Sequence, residues 1–377
     1  AGAGAGDDYG IGKVGSTMGI GEGGFTPRGM TTYKKVLEDM TVRITRKLSR
    51  KKRGNVLLIW IMDSSLSMKD DQEEIKKRLW EMDTKFRALT NGGRLYQAVV
   101  YFSDQPRLWL EPTNDVEMVM KAVDSIELSP PGTPENVMAA LMFVASRKEF
   151  SSVKAKKVAV LVDDDNSYDT GKLEDALAAL KKKRISLYVI NRECPFQRAV
   201  FYERFTYVDE KGLKYTGTGR VFRGPETAYP EVTSVVWGGF IDRTRIMSGF
   251  GIYDVSRIAF HTGGAYYILG EAKADYDWKL MEAYAPELVS RDAYKKRTAK
   301  NPYKETLEYV SRKWNTGCPH GNHYPWPELA REEKRCRAKL EQADDLIQLM
   351  RREAIMSHKA LAKLKKMRRW PANADLT

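Results

Sequence analysis

The sequence has little of what would build a disulfide-stabilised or membrane-spanning fold. It contains three cysteines, Cys194, Cys318 and Cys336, and such an odd and sparse set predicts no disulfide framework. Its apolar runs, of which residues 55–62 are among the strongest, are much shorter than the ~20 residues that a membrane-spanning helix needs. Because the sequence begins with Ala1 rather than methionine, we expect a fragment or a processed form, which leaves room for an upstream signal or anchor.

Motifs of the common enzyme classes are also missing. The sequence contains no phosphate-binding P-loop, no G-x-S-x-G motif, no H-E-x-x-H motif and no cysteine–histidine pair in a catalytic context. The consecutive acids Asp163, Asp164 and Asp165 would suit Mg²⁺-assisted hydrolysis, but no phosphate-cradling glycine loop accompanies them. We therefore predict that the protein is not an enzyme, and a Mg²⁺-dependent hydrolase is the alternative that this cluster keeps open.

The charge of the chain is strongly basic. Its formal net charge is +13 at pH 7 and its sequence pI is about 9.4. A surface of this kind favours anionic partners, which include nucleic acid, phospholipid surfaces and acidic proteins. The charge alone does not choose among them.

Two segments precede the regular part of the chain. Residues 1–30 are rich in glycine and poor in large apolar side chains, so they would bury little surface, and we predict a flexible linker. Residues 31–52 place Val36, Met40 and Ile44 at helical spacing, which predicts an amphipathic helix.

Apolar strands then alternate with amphipathic helices. The strands predicted at 55–62, 156–163 and 185–190 are of the type that is covered on both faces. One intervening helix is expected to run unbroken through "DQEEIKKRLWEMDTKFRAL", and another is expected to have Pro134 just inside its first turn. This order predicts an α/β, Rossmann-like fold with a doubly wound, mostly parallel sheet.

Hydroxyl and carboxylate side chains follow the ends of these strands. Asp63, Ser65 and Ser67 come directly after the first strand, Thr133 lies on a loop before a helix, and Asp163 ends a later strand. In an open parallel sheet the carboxyl ends of the strands share one edge, where ligands bind. Carboxylate and hydroxyl oxygens are hard ligands that suit Mg²⁺ or a similar cation.

The order D-x-S-x-S, then threonine, then aspartate at a later strand end resembles the metal-ion-dependent adhesion site of von Willebrand factor type A domains. The stretch "YQAVVYFSDQPRLWLEPTND" is similar to the second and third strands of that family, and the resemblance spans residues 53–272. More narrowly, "DSSLSMKDDQEEI", "ECPFQR", "GPETAYP", "SGFGIYDVSRIAFHTGGAYYIL" and "YDWKLMEAYAPELVS" resemble bacterial, membrane-anchored type A proteins of unknown function.

The resemblance implies one divalent cation, Mg²⁺ or else Mn²⁺ or Ca²⁺. Ser65 and Ser67 would bind it directly, Thr133 would do so in the ligand-engaged state, and Asp63 and Asp163 would hold it largely through water. An acidic side chain of a partner protein would complete the coordination. The family usually has glycine at the position of Asp164, whose charge is expected to tighten metal binding and weaken the attraction for an acidic partner. The alternative is that these residues only cap strands and form turns in a domain that has lost its metal.

Residues 191–250 interrupt the α/β pattern and contain the hairpin-like stretch "FTYVDEKGLKYTG". They begin at the carboxyl end of the strand predicted at 185–190, on the same sheet edge as the predicted metal site. Loops at such an edge often carry binding residues. We therefore predict that Arg198, Arg220, Arg223 and Trp237 contribute to a partner-binding rim. The structural alternative is an insertion that covers an edge strand.

Residues 273–377 predict a helical extension that ends in a long helix over about 327–370. Its apolar stripe favours packing against its own domain or self-association, and its basic end could touch anionic lipid or nucleic acid. Four residues have side chains that can bind zinc: Cys318, His320, His323 and Cys336. Their spacing matches no closed zinc module, so we interpret them as incidental residues of a proline-rich loop, with zinc binding as the alternative.

Together these features predict a metal-dependent, adhesion-type protein-binding domain. We expect it to be tethered to a bacterial membrane by a single-pass anchor outside this sequence, with the cytoplasm as the alternative location. The alternative function is a nucleic-acid or anionic-surface binder that uses the basic surface, although nucleic acid is the less favoured partner.

Overall fold

Six strands build the central sheet of the fold. The computed structural model describes residues 32–48, 54–90, 92–130, 132–195, 199–208, 212–230, 247–269, 285–299 and 301. The strands of the sheet are Val56–Asp63 (β1), Leu95–Phe102 (β2), Arg107–Thr113 (β3), Lys156–Val162 (β4), Ser186–Arg192 (β5) and Ala265–Leu269 (β8).

The strand order is β3-β2-β1-β4-β5-β8, and every neighbouring pair is parallel except the β2–β3 hairpin. β1 lies between β2 and β4 and is buried at all eight positions, which agrees with its continuous apolar sequence. The expected α/β fold with a mostly parallel sheet is confirmed. Because β1 and β4 are direct neighbours, their carboxyl ends lie side by side.

Helices cover both faces of this sheet. They are Tyr33–Arg46 (α1), Lys69–Lys76 (α2), Leu79–Thr90 (α3), Val116–Asp124 (α4), Val137–Ser146 (α5), Lys148–Ser152 (α6), Leu173–Lys183 (α7) and Tyr253–His261 (α8), with 3-10 turns at Leu66–Met68 and Thr170–Lys172. Side chains of α1, α2, α3 and α4 share one buried cluster with Leu58 and Trp60 of β1. Leu57 and Ile59 point to the opposite face. On that face α7 contacts both α5 and α8.

Helix α1 is part of the same core as the sheet. Its buried side chains Val36, Met40 and Ile44 join the cluster that covers one face of β1, and the helix packs on α3. The hydroxyl of Tyr267 on β8 donates to the carboxylate of Asp39 at 3.0 Å. The helix predicted over residues 31–52 therefore packs on the sheet.

The helix expected to run unbroken from α2 into α3 is divided, so that expectation was wrong. Lys77 and Arg78 form a turn in which the amide of Arg78 donates to the carbonyl of Ile75 at 2.9 Å, a bond three residues back that tightens the chain. The apolar positions on either side, Ile75 and Leu79, are both fully buried. Their spacing continues through the turn, which is why the sequence pattern does not reveal the break.

The predicted start of α5 was also wrong, because Pro134 lies outside the helix. α5 begins at Val137, where three amide groups of the first turn find acceptors from a distant segment. The hydroxyl of Ser167 accepts from Val137 at 3.1 Å, and the carboxylate of Asp169 accepts from Met138 and Ala139 at 3.0 and 2.9 Å. These acceptors satisfy the first turn, so residues 133–136 remain a loop.

The insertion contains the expected hairpin, in a longer form. Val200–Val208 (β6) and Lys214–Phe222 (β7) pair antiparallel and form a separate two-stranded sheet.

Among the described residues, no helix is both long enough and apolar enough to cross a membrane. The chain divides into two compact units, and Arg291–Thr298 (α9) belongs to the second.

Candidate metal centre

The end of β1 gathers three polar side chains at one point. Asp63 is fully buried, and its carboxylate accepts from the amide of Ser65 at 2.9 Å and also from the hydroxyl of Ser65. The hydroxyls of Ser65 and Ser67 are 2.9 Å apart. The side chain of Gln72 donates to the carbonyl of Asp63 at 2.8 Å and ties the loop to α2. The alternation in D-x-S-x-S therefore turns all three side chains the same way.

The end of β4 brings two more carboxylates to this point. Asp163 is 2 % exposed, and its carboxylate accepts from the amide of Asp164 at 3.0 Å. The hydroxyl of Ser67 lies near the carboxylate of Asp164 and opposes the rise in its pKa. The carboxylates of Asp63, Asp163, Asp164 and Glu135 have oxygens that all lie within 4.8 Å of one another, and we call these four residues the carboxylate cluster.

Glu135 is the member of the carboxylate cluster that the sequence reasoning missed. It lies on the loop before α5, and its oxygen Oε2 is buried without a hydrogen-bond partner. The signal in the sequence was the acid two residues after Thr133. The predicted helix start at Pro134 hid this signal, because it placed Glu135 in a first helical turn.

Thr133 lies on the turn that leads to Glu135. Its hydroxyl donates to the carbonyl of Pro130 at 2.7 Å, within a turn that Gly132 permits through its φ of +82°. The amide of Ser129 donates to the carbonyl of Ser64 at 2.8 Å, which fastens this segment to the D-x-S-x-S loop. The turn of Thr133 is thus attached beside the loop of Ser65 and Ser67.

Burial and mutual repulsion dominate the electrostatics of the cluster. Burial and the nearby charge of Asp164 raise the pKa of Asp63 to about 7, although the hydrogen bonds from Ser65 oppose the rise. Burial, together with Asp63 and the neighbouring acids, raises the pKa of Glu135 to about 9. The pKa of Asp163 is also raised well above its usual value, by burial first and then by Asp63 and Glu135. The cluster therefore carries an uncompensated negative potential when it is ionised.

Two arginines flank the cluster on the side of Asp164. Arg223 donates from Nε to the carbonyl of Asp164 at 3.0 Å. Arg192 binds both carboxylate oxygens of Asp71 at 2.8 and 2.7 Å. Burial raises the pKa of Asp164, whereas the charges of Arg223 and Arg192 oppose that rise. The negative potential is thus partly balanced on this side.

The base of the insertion lies against the loop that follows β4. The amide of Asn166 donates to the carbonyl of Phe222 at 2.5 Å, and its side chain donates to the carbonyl of Gly224 at 3.0 Å. Of the predicted rim, Arg223 is therefore beside the cluster, while Arg220 lies on β7 opposite Tyr202.

Several predicted residues lie outside the part of the chain that the structure describes. These are the remaining rim residues, the zinc candidates and the long C-terminal helix: Arg198, Trp237, Cys318, His320, His323, Cys336 and residues 327–370.

Comparison with known families identifies the fold around this site. Residues 58–200 match the family described as the von Willebrand factor type A domain. This match confirms, over those residues, the resemblance predicted from the D-x-S-x-S motif. No curated protein matches the chain.

Two solved bacterial structures are similar to part of the chain. One is described as the conserved hypothetical protein BatB from Bacteroides thetaiotaomicron, with 15% identity over 60% of this chain and 96% of that chain, and a TM-score of 0.35. The other is an aerotolerance-related membrane protein from Bacteroides fragilis NCTC 9343 with multiple mutations to serines. Its identity is 14% over 58% of this chain and 93% of that chain, with a TM-score of 0.36.

Neutralising one buried acid should stabilise the metal-free protein. Asp163→Asn keeps the acceptor for the amide of Asp164 but removes a charge that Asp63 and Glu135 repel. At neutral pH in EDTA we expect the free energy of unfolding to rise by at least about 1 kcal/mol, since one pKa unit corresponds to about 1.4 kcal/mol. Urea denaturation measures the change.

The matched control for this prediction is Asp71→Asn. Asp71 is also buried but is paired with Arg192 and with the hydroxyl of Tyr33, which donates to it at 2.5 Å. Removing its charge should lower the free energy of unfolding by roughly 2 kcal/mol. Effects of the same sign in both variants would contradict the repulsion assigned to the cluster.

Proposed function

We propose that the type A domain of this chain binds one divalent cation and, through that cation, a protein partner. The observation that carries the proposal is the convergence of Asp63, Ser65, Ser67 and Asp163 at the neighbouring ends of β1 and β4. Two of these residues are buried carboxylates and two are hydroxyls, which together form a hard-oxygen donor set.

The residues of the site fit such a cation on chemical grounds. Buried carboxylates that repel one another are stabilised by a positive charge placed among them, and the unpartnered Oε2 of Glu135 lacks such a charge. Ser65 and Ser67 would bind the cation directly, Thr133 would do so in the ligand-engaged state, and Asp63 and Asp163 would hold it largely through water. The cation would supply a positive centre that an oxygen ligand from a partner can approach.

Exposed apolar groups support a partner-binding role for this edge of the sheet. Leu66, between the two site serines, is 43 % exposed, and Tyr168 is 62 % exposed. The ring of Tyr168 packs against that of Phe222 at the base of the insertion, with centroids 6.1 Å apart. Apolar contacts of this kind would add to the affinity that one metal–carboxylate bond provides.

The proposed partner is a protein that offers an acidic side chain to the cation. Arg223, together with Arg198, Arg220 and Trp237, would form the rim that receives this partner. The cation would have a binding role rather than a catalytic one. A tether to a bacterial membrane, through a segment outside this chain, is proposed from the narrower sequence resemblance.

Metal binding should be measurable directly. We expect calorimetric titration with Mg²⁺, Mn²⁺ or Ca²⁺ to show a single site in the wild-type protein and none in Asp63→Ala, because that substitution removes the carboxylate that also orients Ser65. Glu117→Ala, on the exposed side of the N-terminal turn of α4, is the control and should bind like the wild type. An unaltered isotherm for Asp63→Ala, or no binding by the wild type, would refute the assignment.

The basic net charge favours a second candidate, a binder of nucleic acid or another anionic surface. Capture of a partner from a bacterial cell envelope separates the two functions. A metal-bridged partner should be lost in EDTA, regained with Mg²⁺ and absent with Asp63→Ala. Phosphate contacts should instead weaken steeply as salt rises and be unaffected by chelation. The second pattern would favour the second candidate.

A further inference from the structure

Glu135 differs from the other acids of the carboxylate cluster in its origin and its surroundings. Resting on the proposed function, we propose that Glu135 is itself a ligand of the cation. It would supply from within the chain the carboxylate that an acidic partner is expected to bring. An acidic partner would then have to displace Glu135, so Glu135 would compete with the partner's carboxylate for the cation.

The backbone on both sides of Glu135 is fixed. The carbonyl of Glu135 accepts from the amide of Tyr168 at 3.0 Å. The next residue, Asn136, donates from its amide to Ser103 at 2.9 Å and from its side chain to the carbonyl of Asp104 at 2.9 Å. These bonds hold the loop between the β2–β3 turn and the segment after β4. Because its backbone is already held by these bonds, Glu135 would lose little conformational entropy when its side chain binds a cation.

The negative charges around Glu135 favour the binding of a cation beside it. Its Oε2 is buried without a hydrogen-bond partner, and the charges that act on it come from Asp63, Asp164 and Asp165. The charge of Asp164, by contrast, is offset by the nearby arginines Arg223 and Arg192 and by the hydroxyl of Ser67. Glu135 is half-buried as a residue, but a buried, unpartnered carboxylate oxygen such as its Oε2 is costly among like charges, whereas metal ligation would satisfy it.

The size of the cluster allows one ion to be bound directly by Glu135 while the other acids lie near enough to hold it through water. The four carboxylate oxygens lie within 4.8 Å of one another. Two oxygens bound to the same Ca²⁺ can lie up to about 5 Å apart, since each bond is about 2.3–2.6 Å long. The cluster offers four negative charges to a divalent ion, so a fifth carboxylate from a partner would meet repulsion unless Glu135 withdraws.

The test compares Glu135→Gln with Asp165→Asn in the full chain. Both substitutions remove one charge near the site, but Asp165 lies outside the carboxylate cluster. We expect Glu135→Gln to weaken Mn²⁺ binding at least about 10-fold, because affinity for hard cations depends on ligand charge and number. Asp165→Asn should change it several-fold less. Far-ultraviolet circular dichroism in EDTA checks folding, and Glu135→Ala is a second variant with the same expectation.

A second readout counts the water bound to the metal. Water-proton relaxation of the Mn²⁺-loaded protein should increase in Glu135→Gln, because water enters the position that Glu135 leaves. Added acetate, as a probe for a partner carboxylate, should then lower the relaxation in Glu135→Gln but not in the wild type.

Three results would overturn the inference. Glu135→Gln could bind Mn²⁺ like the wild type with unchanged relaxation, or Asp165→Asn could weaken binding equally, which would indicate only a long-range charge effect. In both cases metal binding that is lost in Asp63→Ala would leave the proposed function standing. If the wild type binds no Mn²⁺, the proposed function fails together with the role of Glu135.

Discussion

Repulsion among carboxylates buried at the joined ends of β1 and β4 is the constraint on which the rest of the site depends. The pairing of these two strands is set by the apolar core, which places Asp63 and Asp163 side by side whether or not their charges are compensated. The fold therefore concentrates negative charge where water is excluded. The hydroxyls of Ser65 and Ser67, and the cation proposed among them, would make this arrangement chemically reasonable.

The same charge distribution connects the site to the outer helix α1. Asp71, on the helix that follows the D-x-S-x-S loop, is bound by both Arg192 at the end of β5 and the hydroxyl of Tyr33 at the start of α1. Arg192 also acts on the charge of Asp164. Arg192 thus forms an ion pair with Asp71 and also offsets part of the negative charge of the cluster. The start of α1 therefore lies near Asp71 and Asp164, although the sequence placed that helix ahead of the domain.

The sequence was informative wherever the controlling interactions are local or repetitive. The apolar run of β1 predicted a buried central strand, and the strand–helix alternation predicted the parallel sheet. The spacing of Asp63, Ser65 and Ser67 predicted side chains that turn to one point, because a tight loop allows little else.

What the sequence could not show depends on contacts between distant segments. The start of α5 is fixed by Ser167 and Asp169, some thirty residues later in the chain, so Pro134 was assigned to the wrong side of the boundary. That error hid Glu135, whose approach to the cluster follows from the loop that the late helix start creates. The position of Arg223 beside Asp164 likewise depends on how the insertion returns to the sheet.

The central claim is that one cation lies within the carboxylate cluster and is bound by Ser65, Ser67 and Glu135. Crystals grown with Mn²⁺ and measured at an X-ray wavelength where manganese scatters anomalously test this most directly. The account predicts a single anomalous peak at bonding distance from the hydroxyls of Ser65 and Ser67 and from a carboxylate oxygen of Glu135. A map without a peak between the ends of β1 and β4, from crystals that hold Mn²⁺ elsewhere, would contradict it.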